Sequence, residues 1–129
     1  MRHVRRIGPA SLLLVLLIAA VVAGAGTMPA AAAGTKVKHV TIENFAFTPR
    51  TITVKAGTKV TWKNADSAAH RVASTDSIKT TANVTGMFSS SSLSKGRSFS
   101  FTFKKKGTFF YECTIHASMA SMHGKVIVK

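Results

Sequence analysis

Cysteine occurs once among the 129 residues, at Cys113, so no disulfide can close within the chain. Only four side chains are acidic, Glu43, Asp66, Asp76 and Glu112, against 18 lysines and arginines. No stretch carries the periodicity of a long helix, and no internal repeat is visible. No apolar run reaches the roughly 20 residues that a membrane-spanning helix needs. These absences exclude a disulfide-stapled scaffold and an all-helical domain. The basic balance does not point to nucleic acid, because no helix, aromatic platform or Gly-rich loop suited to that task accompanies it.

What is present begins with a leader. Met1-Arg2-His3-Val4-Arg5-Arg6 is basic, residues 11–24 are apolar, and Met28-Pro29-Ala30-Ala31-Ala32-Ala33 ends in small side chains. That order is the pattern of a secretory signal peptide, with cleavage expected near Ala33–Gly34. No cysteine lies near that point, which excludes a lipoprotein anchor. The expected division is residues 1–33 as signal peptide and residues 34–129 as one domain. The domain is expected to be exported to a periplasmic or extracellular space, with no membrane span after cleavage. Losing Arg2, Arg5 and Arg6 leaves 15 lysines and arginines against the four acids, a net charge of +11. A field of that sign speeds encounter with acidic partners.

The rest of the chain alternates with period two between turn signals. Residues 35–47, 51–55, 59–63, 98–103, 108–113 and 125–128 read as strands, and residues 68–74 as a short strand carrying His70. Thr48-Pro49-Arg50, Ala56-Gly57, Leu93-Ser94-Lys95-Gly96 and Lys104-Lys105-Lys106-Gly107 read as turns. Residues 75–92 read as a long connection holding one edge strand or helical turn. Closely spaced short strands of this kind predict an all-β sandwich.

The chemistry concentrates in Cys113-Thr114-Ile115-His116-Ala117-Ser118-Met119-Ala120-Ser121-Met122-His123-Gly124. This stretch holds the sole cysteine, two of the five histidines and two of the five methionines. An unpaired cysteine in an exported chain needs an explanation, and these neighbours favour a metal. Thiolate, imidazole and thioether together select copper, and a trigonal His₂Cys site with a weak axial Met is the blue-copper electron-transfer arrangement. The loop supplies three of those four groups, so a second imidazole must come from elsewhere. His70 follows the polar loop Asn64-Ala65-Asp66-Ser67 and falls near the end of the sandwich where loops cluster. His39 shares a parity with Thr41 and Glu43 and is expected to face solvent. His123 is expected to point opposite to Met122.

The chain resembles the cupredoxins of the plastocyanin/amicyanin group. The segments that carry the resemblance are Phe47-Thr48-Pro49, Ile52 through Asn64, the approach from Asp66 to His70, Gly107 through His116, and Met122-His123-Gly124-Lys125-Val126. Cys-x-x-His and Met-x-Gly-Lys-Val are the specific elements; the strand patterns are not. The resemblance implies an eight-stranded Greek-key β-sandwich with one type 1 copper per chain. It also implies a monomer that exchanges electrons with redox protein partners and makes no bonds. By position, His70, Cys113 and His116 carry over as equatorial ligands. The axial residue is ambiguous because Ala-Ser-Met occurs twice. Met119 has the compact spacing from His116. Met122 is anchored directly ahead of the last strand, and this context favours it. Asn64 and the backbone near Arg71 are the expected donors to the cysteine sulfur.

The principal alternative is a copper carrier or chaperone on the same fold, which needs an exposed and labile site. A copper oxidase or nitrite reductase domain needs further copper centres and many more histidines than this chain holds.

Overall fold

The computed structural model describes residues 24–26 and 34–129, so the expected signal segment, residues 24–26 apart, lies outside the described residues. Nine strands follow in order: β1 (Val37–Glu43), β2 (Ala46–Thr48), β3 (Thr51–Val54), β4 (Thr58–Asn64), β5 (Val72–Thr75), β6 (Val84–Ser89), β7 (Ser98–Phe103), β8 (Gly107–Cys113) and β9 (His123–Val128). They form two sheets, β2-β1-β4-β7 and β3-β9-β8-β5-β6. The first joins β1 parallel to β4, and the second joins β3 parallel to β9; the other pairs are antiparallel. Among the described residues no helix is long and apolar enough to cross a membrane.

This is the expected β-sandwich, and period-two alternation builds it. Val40 and Ile42 of β1, Val60 and Trp62 of β4, Ile52 and Val54 of β3, and Val126 and Val128 of β9 turn inward and are buried. Phe103 is buried, and Phe99 and Phe101 pack against the same core, so the three aromatics of β7 share the inner face. Trp62 sits at the centre, stacked on Phe88 and Phe99 with centroids 5.7 and 5.8 Å away, and meets Tyr111 edge-on at 5.2 Å. Burying a side chain of this kind contributes about 1.5–3 kcal/mol, so the core needs no covalent staple.

Two boundaries differ from the sequence reading. The single alternating segment 35–47 is a hairpin, because Asn44 and Phe45 both take positive φ, 51° and 54°, and reverse the chain between β1 and β2. This break is why nine strands stand where eight were expected. The strand expected over residues 68–74 starts later, at Val72; His70 makes only an isolated bridge with Leu93. The connection after β5 holds one edge strand, β6, as expected. Gly124 is required by close packing: a Cβ there would run into the Tyr111 ring and hydroxyl and lie 2.8 Å from the Arg50 carbonyl.

Candidate metal centre

One end of the sandwich gathers the β1–β2 turn, the β4–β5 connection and the β8–β9 loop. Cys113, the last residue of β8, is fully buried and pairs in register with Val72 of β5. The Arg71 N–H donates to Cys113 Sγ at 3.4 Å, and the Thr114 N–H donates to the Arg71 carbonyl at 3.1 Å. The sulfur is therefore fixed by both a strand and a backbone donor. Asn64, the other expected sulfur donor, is used differently. Its Nδ2 donates to the Ala68 and Leu93 carbonyls, both at 2.8 Å, because its side chain is drawn into the loop that carries His70.

His70 is fully buried. Reciprocal backbone bonds with Leu93, 3.1 and 2.7 Å, hold its main chain. Its Nε2 lies 2.9 Å from Asp66 Oδ2, so the ring donates there and keeps Nδ1 as a lone-pair atom 3.6 Å from Cys113 Sγ. His116 brings its own Nδ1 to 3.5 Å from the same sulfur and is half-buried. The three ligand atoms all lie within 4.8 Å of one another. Two donors about 2.0–2.3 Å from a shared ion and about 120° apart are separated by about 3.5–4 Å, so the cluster fits one trigonal metal.

The loop after Cys113 is a chain of turns. His116 N–H bonds to Cys113 O at 3.0 Å, Met119 N–H to His116 O at 3.0 Å, and Met122 N–H to Met119 O at 2.9 Å. Each turn closes three residues on, so Cys113, His116, Met119 and Met122 fall at successive corners. The last corner is a single 3-10 turn, Ala120–Met122. Met122 is completely buried, whereas Met119 is 40% exposed. His123 is also fully buried, but it stays outside the cluster, with its Nε2 donating to the Ala117 carbonyl at 2.6 Å. His39 is exposed on β1 as expected.

Sequence reasoning missed Phe45 and Asp66 as parts of this site. The Phe45 ring meets the His70 and His116 rings edge-on, with centroids 5.5 and 5.0 Å away. The Asp66 carboxylate accepts the Asn44 N–H at 2.6 Å and the Phe45 N–H at 3.0 Å while also receiving His70. Burial pushes the Asp66 carboxyl up, but the donors from Phe45, His70 and Asn44 outweigh it and hold it below the usual carboxylate range. Positive φ is unfavourable for a bulky side chain, so Asn44-Phe45 carries no strong turn signal. An Asp four residues before a candidate ligand was the available clue. Phe45, Ile115 and Met119 are all exposed, at 37%, 50% and 40%, and give this end of the domain an apolar surface.

The family described as copper binding proteins, plastocyanin/azurin family, matches residues 33–129. A purple cupredoxin from Nitrosopumilus maritimus superposes with a TM-score of 0.62 at 27% identity, covering 70% of this chain and 98% of that one. An amicyanin variant in its reduced Cu(I) form at pH 4 gives 0.58 at 30% identity, covering 76% and 85%. A copper-containing nitrite reductase from Thermus scotoductus, 24% identical with a TM-score of 0.57, shares the fold; this chain spans 22% of its length. A chain whose thiol and two imidazoles meet at the loop end of such a sandwich, and which that family matches over residues 33–129, belongs to the plastocyanin/azurin family of copper binding proteins.

Proposed function

We propose that the protein is an exported electron carrier that holds one type 1 copper with His70, Cys113 and His116, and with Met122 in the axial position. The observation that carries this reading is the convergence of three ligand atoms within 4.8 Å at a site where Cys113 and His70 are fully buried. Copper bound there would supply a one-electron couple between Cu(I) and Cu(II). The protein's part is to hold its donors still in both states. Strand β8 fixes Cys113, the Leu93 bridge and Asp66 fix His70, and the turn on Cys113 O fixes His116. Arg71 N–H tempers the negative charge of the thiolate. Full burial where the loop ends supports Met122 as the fourth donor, while Met119 is 40% exposed. His116, half-buried beneath the Phe45 ring, offers the electron a route to the apolar rim.

The copper-carrier alternative needs a site from which the metal can be handed over. The 0% exposure of both His70 and Cys113 disfavours it. The deciding measurement is the visible spectrum with Cu(II). An intense thiolate-to-copper band that bleaches on reduction and vanishes in Cys113→Ser supports the reading. A colourless Cu(II) complex, or colour that persists in that variant, rejects it.

A further inference from the structure

Six of the domain's 15 lysines and arginines gather away from the ligand cluster. Six exposed lysines, Lys36, Lys55, Lys104, Lys105, Lys106 and Lys129, share the end of the sandwich opposite the ligand cluster. Backbone bonds tie their segments together there. Ala56 N–H donates to Lys129 O at 3.1 Å, Gly57 N–H to Phe103 O at 2.7 Å, and Lys59 N–H to Lys36 O at 2.8 Å. The register agrees, pairing Gly107 at the start of β8 with Val128 near the end of β9.

Carboxylates do not neutralise this end. Asp66 belongs to the metal centre, Glu112 is buried beside Cys113, and Glu43 ends β1 at the metal side; Asp76, bonded by the neutral Asn83 amide and lying near Thr108 and Phe109, sets a single negative charge against the six lysines. Among the described residues, the carboxylates within salt-bridge distance of a cation face histidines alone. Among the described residues the arginines are elsewhere: Arg50 bonds to His123, Arg71 adjoins Cys113, and the Arg97 carbonyl accepts from Asn64. The cations described at this end are therefore all lysines. Lysine is a hydrated point charge without the planar fork that grips a single carboxylate, which suits a diffuse anionic surface. An apolar hollow of about 390 Å³ beside it is floored by Met87, Phe101 and Phe109 and edged by Lys104 and Lys105. Val37, next to Lys36, is 44% exposed.

The two ends are separated by the length of β4 or β8, seven residues each. At about 3.3 Å per residue this is about 20 Å, well beyond the roughly 8 Å over which charge acts in physiological salt. A partner drawn to the lysines would not be brought to His116. We propose that the lysine end docks on an anionic phospholipid surface, with headgroup phosphates on the lysines and the apolar hollow against the acyl boundary. This leaves the His116 end facing away from the membrane, free to meet a redox partner. The orientation of the metal rests on the functional reading above; the docking does not.

Vesicle co-sedimentation tests it, using the protein as its host processes it, at 0.1 M KCl. Vesicles of phosphatidylcholine with about one third phosphatidylglycerol should bind the protein, and pure phosphatidylcholine should not. The triple variant Lys104→Gln/Lys105→Gln/Lys106→Gln should bind about 100-fold more weakly, at about fivefold for each lysine near the surface. The charge-matched Lys63→Gln/Lys95→Gln/Arg97→Gln at the metal end should lose about threefold or less on the same reasoning. Equal loss in both variants, or equal binding to neutral vesicles, overturns the proposal. So does retention of polyglutamate through the same three lysines without vesicle binding, which would assign the surface to an acidic protein. Cys113→Ser should bind vesicles as well as the parent, so a failed copper assignment leaves this result readable.

Discussion

His123 donates its ring Nε2–H to the carbonyl of Ala117 at 2.6 Å, tying the middle of the ligand loop to the strand that ends it. The other ring nitrogen, Nδ1, lies 3.6 Å from Glu112 Oε2 with no closer partner for either atom. Burial pushes the Glu112 carboxyl up and His123 draws it back part of the way. Replacing the ring by His123→Phe removes the tie and strands Glu112 in the core. The expected cost is about 1–3 kcal/mol of stability. A shifted and broadened visible band should accompany it as the loop between His116 and Met122 loosens. His123→Gln retains a donor and should restore the band. A Phe variant with the parent spectrum would show that the tie does not position the ligands.

The axial assignment separates two methionines by burial. Met122→Leu and Met119→Leu conserve bulk, so each should cost about 1.5 kcal/mol or less. Only Met122→Leu should raise the reduction potential, because it removes a sulfur donor that steadies the oxidised ion. A rise confined to Met119→Leu would reverse the assignment.

Phe45 and Asp66 make a third test. Asp66→Ala removes the acceptor for two turn amides and for His70. It should lower stability by about 2–3 kcal/mol, the range for bonds to a charged group. Phe45→Gly suits the 54° φ at that position but uncovers both imidazoles. It should leave stability within about 1 kcal/mol while lowering the potential, since water favours the more highly charged oxidised site. An unchanged potential would mean that the ring does not shield the metal.

Asp76 provides a pH signature remote from the metal. The Asn83 side chain and backbone donate to its carboxylate, at 3.0 and 3.1 Å, and hold its pKa below the ordinary value. A lowered folded-state pKa means that this stabilisation is complete above about pH 4. It is lost as pH falls through the folded-state value. Amide protection in the 76–83 loop, measured against the intrinsic exchange rate at each pH, should therefore fall in acid, and Asp76→Asn should flatten that dependence. An acid response equal in both proteins would place its origin elsewhere.

Much of this was legible in the residues. Strands β3, β4, β7, β8 and β9 follow from alternation because each has one face in a shared core. Cys113 and His116 follow from chemistry packed into one short loop. His70 needed position relative to the Trp62 strand, since a histidine 43 residues before the cysteine has no local signal. The β1–β2 turn was illegible because tertiary bonds from Asp66 and Ser121 hold Phe45 in a backbone conformation its side chain disfavours. Asn64 was misread for a related reason. Which of several nearby carbonyls captures a buried amide depends on loop paths that alternation does not encode.

Strand β9 lies inside its sheet, parallel to β3 on one side and antiparallel to β8 on the other. Of its neighbours, β3 precedes it by most of the domain and β8 by only the ligand loop, so a growing polypeptide carries both as bare edges until residues 123–128 emerge. The same six residues anchor the exit of the ligand loop through His123 and place Met122 in the interior. Completion of the sheet and closure of the metal loop are therefore one event in folding. The donors cannot assemble while the chain is still short of its last strand, and a break near Lys125 would cost the sheet its centre and the metal its pocket together.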